Sequence, residues 1–426
     1  MIHPIVITGI GILSPLGIGI EETAAALREG ESALLPCSRF APPPGVSPLC
    51  GEVPAFRAEE YLAAPKAYLD RNSELLLAAT GMALRHAGID TAKLVPERAG
   101  ILAGTAWAGQ DTMAAFFADY VQKGPRLVKP YLFPHTYFNT AISLAAMEWS
   151  LRGVHQSFAS GRVAAGQALV EACDLLTDDE AELILAGGCE ALGPALFRTL
   201  AAMGVLPPAA AADGPHVFDT RHAGLIPGEA GVMLVLERQR HATARGAKIL
   251  GTILGAGLGA DAPASAGRAR APHAPQASVQ SQSCACGGSG GPALPGSGAA
   301  DAIRAALRQA GIAPADLAGV CASANGDAAL DDAEAHALLQ ALGDAQTPVT
   351  APASLCGDTA GACAALHVAL AVLMRANNSL PPVAGLATPA RPGLAYVTTP
   401  AAPLRAGPIL VLATDPSGSA ASMVVQ

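Results

Sequence analysis

The chain has 426 residues, 51% of them hydrophobic and only 14% charged, with a formal charge of −9 and a mean hydropathy of +0.36. That length suits two or three core-forming units, and the acidic balance without a long basic run argues against a nucleic-acid-binding surface. No run of roughly 18 or more strongly apolar residues marks a membrane span, and the opening MIHPIVITGIGILSPLG, which lacks a basic n-region, reads as a strand and turn, so a cytoplasmic protein is expected.

Small residues carry much of the apolar character: glycine numbers 46 and aromatics make up only 4%. Such a composition suits helices packed closely on sheets and a large subunit interface. The nine cysteines are scattered, odd in number and free of any CxxC or His/Cys ligand spacing. Reduced structural thiols are the expectation, with no metal and no cofactor. Cys284 and Cys286 flank one alanine in a Gly/Ser stretch, where a loop is the simpler reading.

Taken in chain order, strands alternate with helices. Ile5 to Gly9 is a strand running into a Gly turn. Its Gly9-x-Gly11 is no dinucleotide fingerprint, because Ser14 stands where the third glycine would be. Arg71 to His86 has helical periodicity, and Gly88 suits its C-terminal cap. Gly100 to Thr105, Leu183 to Gly188 and Val232 to Glu237 are buried strands, and a helix follows around Gln239 to Arg245. Residues 258–299 are rich in Gly, Ala, Pro and Ser and read as a long connecting loop. Beyond it come a helix at Ala300 to Ala310, a strand at Leu317 to Ala322, helices at Asp331 to Leu342 and Thr359 to Arg375, and a strand at Pro408 to Thr414. The alternation predicts an α/β fold with an N-terminal half, residues 1–257, and a C-terminal half, residues 300–426.

One stretch raises a chemical question. His155 to Gly161 reads HQSFASG and leads from a strand-like approach into the helical run GRVAAGQALVEACDLL. That is the form of a nucleophile turn, where a helix N-terminus stabilises an anion. The place of a reactive thiol is taken by Phe158.

The motifs resemble the β-ketoacyl synthases, the condensing enzymes of fatty acid and polyketide assembly. The resemblance rests on ITGIGILSPLG at the start, LAGGCEAL at residues 185–192, FDTRHAGLIPGEAGVMLVLERQRHATARGAKI at 218–249, and then CASANGDAALDDAEAHAL and SLCGDTAGACAAL in order. It spans essentially the whole chain. It implies a thiolase-like fold, two similar halves stacked as α-β-α-β-α layers, working as a dimer. In active members a cysteine takes an acyl chain from a carrier protein, two histidines assist decarboxylation of a malonyl unit and stabilise the enolate, and a lysine supports the site.

Carried over residue by residue, all four positions depart from that pattern. The cysteine falls on Phe158, the first histidine on Asn325, the lysine on Ala353 and the second histidine on Asp358. Phenylalanine cannot attack a thioester, and its ring is expected to plug the acyl site. Asn325 cannot cycle a proton, and a carboxylate at Asp358 is electrostatically wrong for an enolate. The resemblance therefore narrows to the catalytically inactive homologues called chain length factors, the β subunits of type II polyketide and aryl-polyene systems. These pair with an active ketosynthase and shape the tunnel for a chain delivered by an acyl carrier protein. Well-known factors often carry Gln at the former cysteine; here Gln156 does not align with it.

The expected function is a non-catalytic subunit of a β-ketoacyl-[acyl carrier protein] synthase complex. Met113, Phe116, Phe117, Phe133 and Phe138 are candidates for the tunnel or interface, with ordinary core packing as the alternative. A second reading is an acyltransferase or decarboxylase in which Ser157 attacks, activated by His155 two residues away on one strand face, while Ser160 holds a structural place. A third is a non-catalytic scaffold that binds a carrier protein. Glu229 and Arg221 are expected to fix loops at the site floor, Trp107 and Trp149 to pack, and His216, His222 and His241 to lie at the surface or in loops.

Overall fold

The computed structural model describes residues 4–211, 213–261 and 296–426. Its main strands are β1 (Ile5–Ser14), β2 (Ala99–Gly104), β3 (His155–Phe158), β4 (Leu183–Glu190), β5 (Ala230–Arg238), β6 (Gly251–Ala260), β7 (Gly319–Cys321), β8 (Pro348–Thr350), β9 (Ala395–Tyr396), β10 (Ile409–Thr414) and β11 (Ser419–Val425). The main helices are α1 (Arg71–His86), α2 (Gln110–Lys123), α3 (Thr140–Glu148), α4 (Ala164–Thr177), α5 (Pro194–Ala202), α6 (Ser297–Ala310), α7 (Ala328–Leu342) and α8 (Cys363–Asn377).

The strands run in the order β9-β8-β7-β10-β11-β6-β1-β5-β4-β2-β3, and the short strand Gly17–Ile18 folds back on β1. β6 joins the two halves. Its first residues pair with β1, Ile5 opposite Ile253, and the rest runs along β11 as far as Ala260 opposite Ser419. The two half-sheets sandwich α4 and α8, which both touch strands of each half. Outside, α1 covers β1, β4 and β5, while α6 covers β6, β10 and β11. The result is the five-layer α-β-α-β-α stack of a thiolase-like α/β fold.

Local chemistry explains the layers. Every residue of β1, β4 and β5 is buried, as expected of strands covered on both faces. Residues 363–374 of α8 are buried all round, which marks a core helix. The segment Ala360–Asn377 is long and apolar enough to cross a membrane, with mean hydropathy 1.4, but 78% of it is buried inside the fold as the central layer. Helix α1 ends as its sequence predicts: Gly88 has φ 63°, and Ile89 N–H donates to the Leu84 carbonyl at 3.0 Å.

The connecting segment is shorter than its composition implies. Residues 258–260 belong to β6 and 297–299 to α6. Gly259, which reads as loop, and Gly257 before it are there for contact. A Cβ on Gly257 would overlap the Ala302 carbonyl and one on Gly259 the Gly298 carbonyl, so their absence lets α6 lie flush on the strand. The remainder, including Cys284 and Cys286, lies outside the described residues.

Candidate functional site

The turn after β3 is built as the sequence suggests. β3 runs parallel to β2, with Phe158 opposite Gly104, and Thr105 N–H donates to the Phe158 carbonyl at 3.0 Å. The chain reverses at Gly161, φ 68°, where a side chain would strike the Asp415 carboxylate. One 3₁₀ turn, Gly161–Val163, then leads into α4.

Phe158, expected to plug the acyl site, packs to the side of the cavity at this turn. It is still part of the strand, and its half-buried ring packs on the core cluster that holds Leu169, Ile184, Ala186 and Leu366. It is absent from the walls of the cavity that opens at this turn.

The cavity, about 340 Å³, is walled by apolar side chains that include Trp107, Leu196, Leu200, Met203, Val205 and Leu225. Its floor is polar, and Arg162 organises it. This buried guanidinium donates from Nε to Asp358 Oδ1 at 3.0 Å, from Nη1 to the Thr414 carbonyl at 2.8 Å and from Nη2 to the Ser323 carbonyl at 2.5 Å. Asn325 Nδ2 donates to the other oxygen of Asp358 at 2.9 Å, and its Oδ1 accepts from Asp327 N–H at 3.0 Å. Burial pulls the Arg162 pKa down, but the Asp358 charge beside it more than reverses this and holds it above its ordinary value. The Asp358 carboxylate is thus paired with a buried guanidinium.

Further carboxylates brace the floor. Glu190 accepts from the N–H groups of Ala106 at 2.7 Å, Gly361 at 3.1 Å and Trp107 at 3.1 Å, and burial pushes it up to about 7. Asp331 accepts from Phe218 N–H and Asn325 N–H, both at 2.8 Å, and burial raises it to about 7 as well. Ala353 is buried at the start of a short helix, Ala353–Cys356, and its methyl side chain offers no polar atom to the site.

Among the described residues, neither serine of the turn is hydrogen-bonded to a base. Ser157 Oγ donates to the Phe138 carbonyl at 3.3 Å, and Ser160 Oγ donates to Gln167. Among the described residues no hydrogen bond joins Ser157 to His155, which is exposed at the start of β3.

The five tunnel or interface candidates are not core. Phe117 is 55% exposed and Phe133 47%, Phe138 is exposed, and Met113 and Phe116 are half-buried. Phe116 stacks on Phe117 and Phe133 with centroids 5.6 and 5.5 Å apart, and Tyr137 extends the group. Met113 and Phe117 also border a shallow depression against α5. The Ser157–Phe138 hydrogen bond ties this surface to β3, the last strand of the sheet.

Of the remaining residues, Glu229 accepts from Val53 N–H at 3.0 Å and Leu192 N–H at 3.2 Å, and pairs with Arg39 and Arg71, so it does fix loops. Arg221 holds Asp219 and the Gly385 carbonyl. Trp149 packs beside α1, and Trp107 both packs and lines the cavity. His216 is in a loop but buried, held by Asp213 at 2.8 Å, and His222 is half-buried. His241 bonds Glu237 at 2.6 Å. Sequence reasoning missed Arg162. Its signal is a lone charge in an otherwise small and apolar helix start.

Residues 3–242 match the family model of the β-ketoacyl synthase N-terminal domain, and residues 276–387 match that of its C-terminal domain. The tetracenomycin polyketide synthase ketoacyl synthase beta subunit of Streptomyces glaucescens is 32% identical over 99% of this chain and 98% of its own length. The 3-oxoacyl-[acyl-carrier-protein] synthase 2 of Vibrio harveyi is 28% identical over 90% of this chain and 89% of its own. Among solved structures, the ishigamide ketosynthase/chain length factor superposes with a TM-score of 0.86 at 26% identity, covering 100% of this chain and 99% of that one. The chain belongs to the β-ketoacyl synthase family.

Proposed function

We propose that this chain is a chain length factor, the non-catalytic partner of an active ketosynthase in a type II polyketide, aryl-polyene or fatty-acid-like system. The observation that carries the reading is the closed Arg162–Asp358–Asn325 network. It includes Asn325 and Asp358, the two positions to which the resemblance carries the family's histidines, and its charged and polar groups are spent on one another. The likeness to a ketoacyl synthase beta subunit supports it, as does the exposed aromatic surface beside β3, which suits a large subunit interface. In this reading Met113, Phe116, Phe117, Phe133 and Phe138 face the partner or the tunnel, and the growing chain arrives on an acyl carrier protein.

The test is co-expression with a candidate ketosynthase, followed by native mass spectrometry and a carrier-dependent condensation assay. A 1:1 complex whose activity disappears when the partner's nucleophilic cysteine is replaced supports the reading. A homodimer that condenses or transfers acyl groups unaided overturns it.

A further inference from the structure

Cys37, Cys50 and Glu52 belong to no ligand-spacing motif, but a hairpin gathers them. Leu35–Pro36 pairs antiparallel with Leu49–Cys50, Leu35 opposite Cys50, and Cys37 N–H donates to the Pro48 carbonyl at 2.8 Å. Cys50 and Glu52 are two residues apart along one extended segment, which sends both side chains the same way. The two sulfurs and a Glu52 oxygen consequently lie within 4.8 Å of one another, with Cys37 Sγ 3.6 Å from Glu52 Oε1. A tetrahedral zinc with Zn–S of about 2.3 Å and Zn–O of about 2.0–2.2 Å holds its ligand atoms roughly 3.4–3.8 Å apart. Closing the group around an ion needs only a small side-chain adjustment.

We propose that Cys37, Cys50 and Glu52 form a site for a thiophilic divalent cation of the zinc class, with solvent in the fourth position. The surroundings suit it. Ser38 N–H donates to Glu52 Oε2 at 3.0 Å and Arg39 Nε to Oε1 at 3.0 Å, which fixes the carboxylate as outer partners fix metal ligands. Burial alone would raise Glu52, but the hydrogen bonds from Ser38 and Arg39 hold it down at about 2, ionised and ready to ligate. Two thiolates and a carboxylate exceed the charge of a divalent ion by one, and Arg39 stands there to balance it. The site also has a consequence for the cavity. Cys50 and Cys37 pack with Leu196, Leu200, Val205, Leu225 and Trp107, which wall it, so a bound ion would brace that wall.

The experiment titrates reduced, metal-free full-length protein with Co²⁺ and then Zn²⁺. The site predicts one Co²⁺ per chain, with thiolate-to-cobalt charge-transfer absorption that Zn²⁺ bleaches, and a rise in the thermal unfolding midpoint with Zn²⁺. Cys37→Ser and Cys50→Ser should abolish the absorption. Glu52→Gln, which keeps both thiols packed, should weaken binding by more than the roughly 10–100-fold lost when a ligand's outer partner is replaced. A Cys284→Ser/Cys286→Ser double variant should leave it unchanged. No charge-transfer absorption at equimolar Co²⁺, or a band that survives Cys37→Ser, overturns the proposal.

Discussion

The floor of the cavity and the surface formed by residues 110–138 reverse the usual rule of burial in opposite senses. The floor is buried yet charged, and Arg162, Asp358 and Asn325 satisfy one another within the chain. The surface is exposed yet aromatic, with Phe117, Phe133 and Tyr137 open to solvent. A buried ion pair is stable only when it is complete, whereas clustered exposed aromatics are, on the reading proposed above, an interface still to be covered. On that reading the difference separates what this chain does alone from what it needs a partner for. On the reading proposed above, the former reaction centre is closed and the outward face is left open.

The largest effect should come from breaking the floor. Arg162→Met leaves Asp358 buried without its counter-charge, at a cost of about 3–5 kcal/mol. Urea unfolding measures it. The Arg162→Met/Asp358→Leu pair should recover most of the loss, because an apolar replacement of both partners is often close to neutral. A single variant as stable as the parent would show that the pair does not hold the floor.

The floor should also respond to pH. Burial raises Glu190 to about 7 in the folded chain, above its unfolded value of about 4.3. The folded state therefore binds the extra proton, and this contribution is full below about pH 4.3 and lost as pH rises through 7. At about 1.4 kcal/mol per pH unit the span amounts to roughly 3–4 kcal/mol. Glu190→Gln should flatten the decline measured by urea unfolding from pH 5 to 8; an unchanged slope would place the titration elsewhere.

The open face should respond in association rather than in stability. Phe133→Ala is expected to weaken the complex with the ketosynthase by about 1–2 kcal/mol, read as a roughly tenfold rise in Kd, with little change in the unfolding of the isolated chain. Phe116→Ala should lengthen the product if its ring limits the tunnel, and mass spectrometry of the released chains decides this.

Much of this is legible in the sequence. The strand and helix alternation predicts the layers, because buried strands such as Leu183–Glu190 and capped helices such as Arg71–His86 carry local signals. Gly259 misleads, since a strand stripped of side chains to admit a helix has the composition of a loop. Motif order carries the reactive positions onto Phe158, Asn325, Ala353 and Asp358, and the fold brings Asn325 and Asp358 together. Arg162 is not, because its partners at 323, 358 and 414 come together only in the folded chain. Phe158 is placed in the right turn but expected in the wrong surroundings, since it remains in the strand and its ring packs on the core.

The smallest expected effect tests the reading most directly. Ser157 Oγ donates to the Phe138 carbonyl, and among the described residues no base bonds to it. Ser157→Ala should change stability by less than about 0.5 kcal/mol, as surface substitutions usually do. With a ketosynthase partner present, the condensation rate should stay the same. A loss of activity in this variant, with the complex intact by native mass spectrometry, would mean that the turn still performs chemistry and that the chain is more than a shaping subunit.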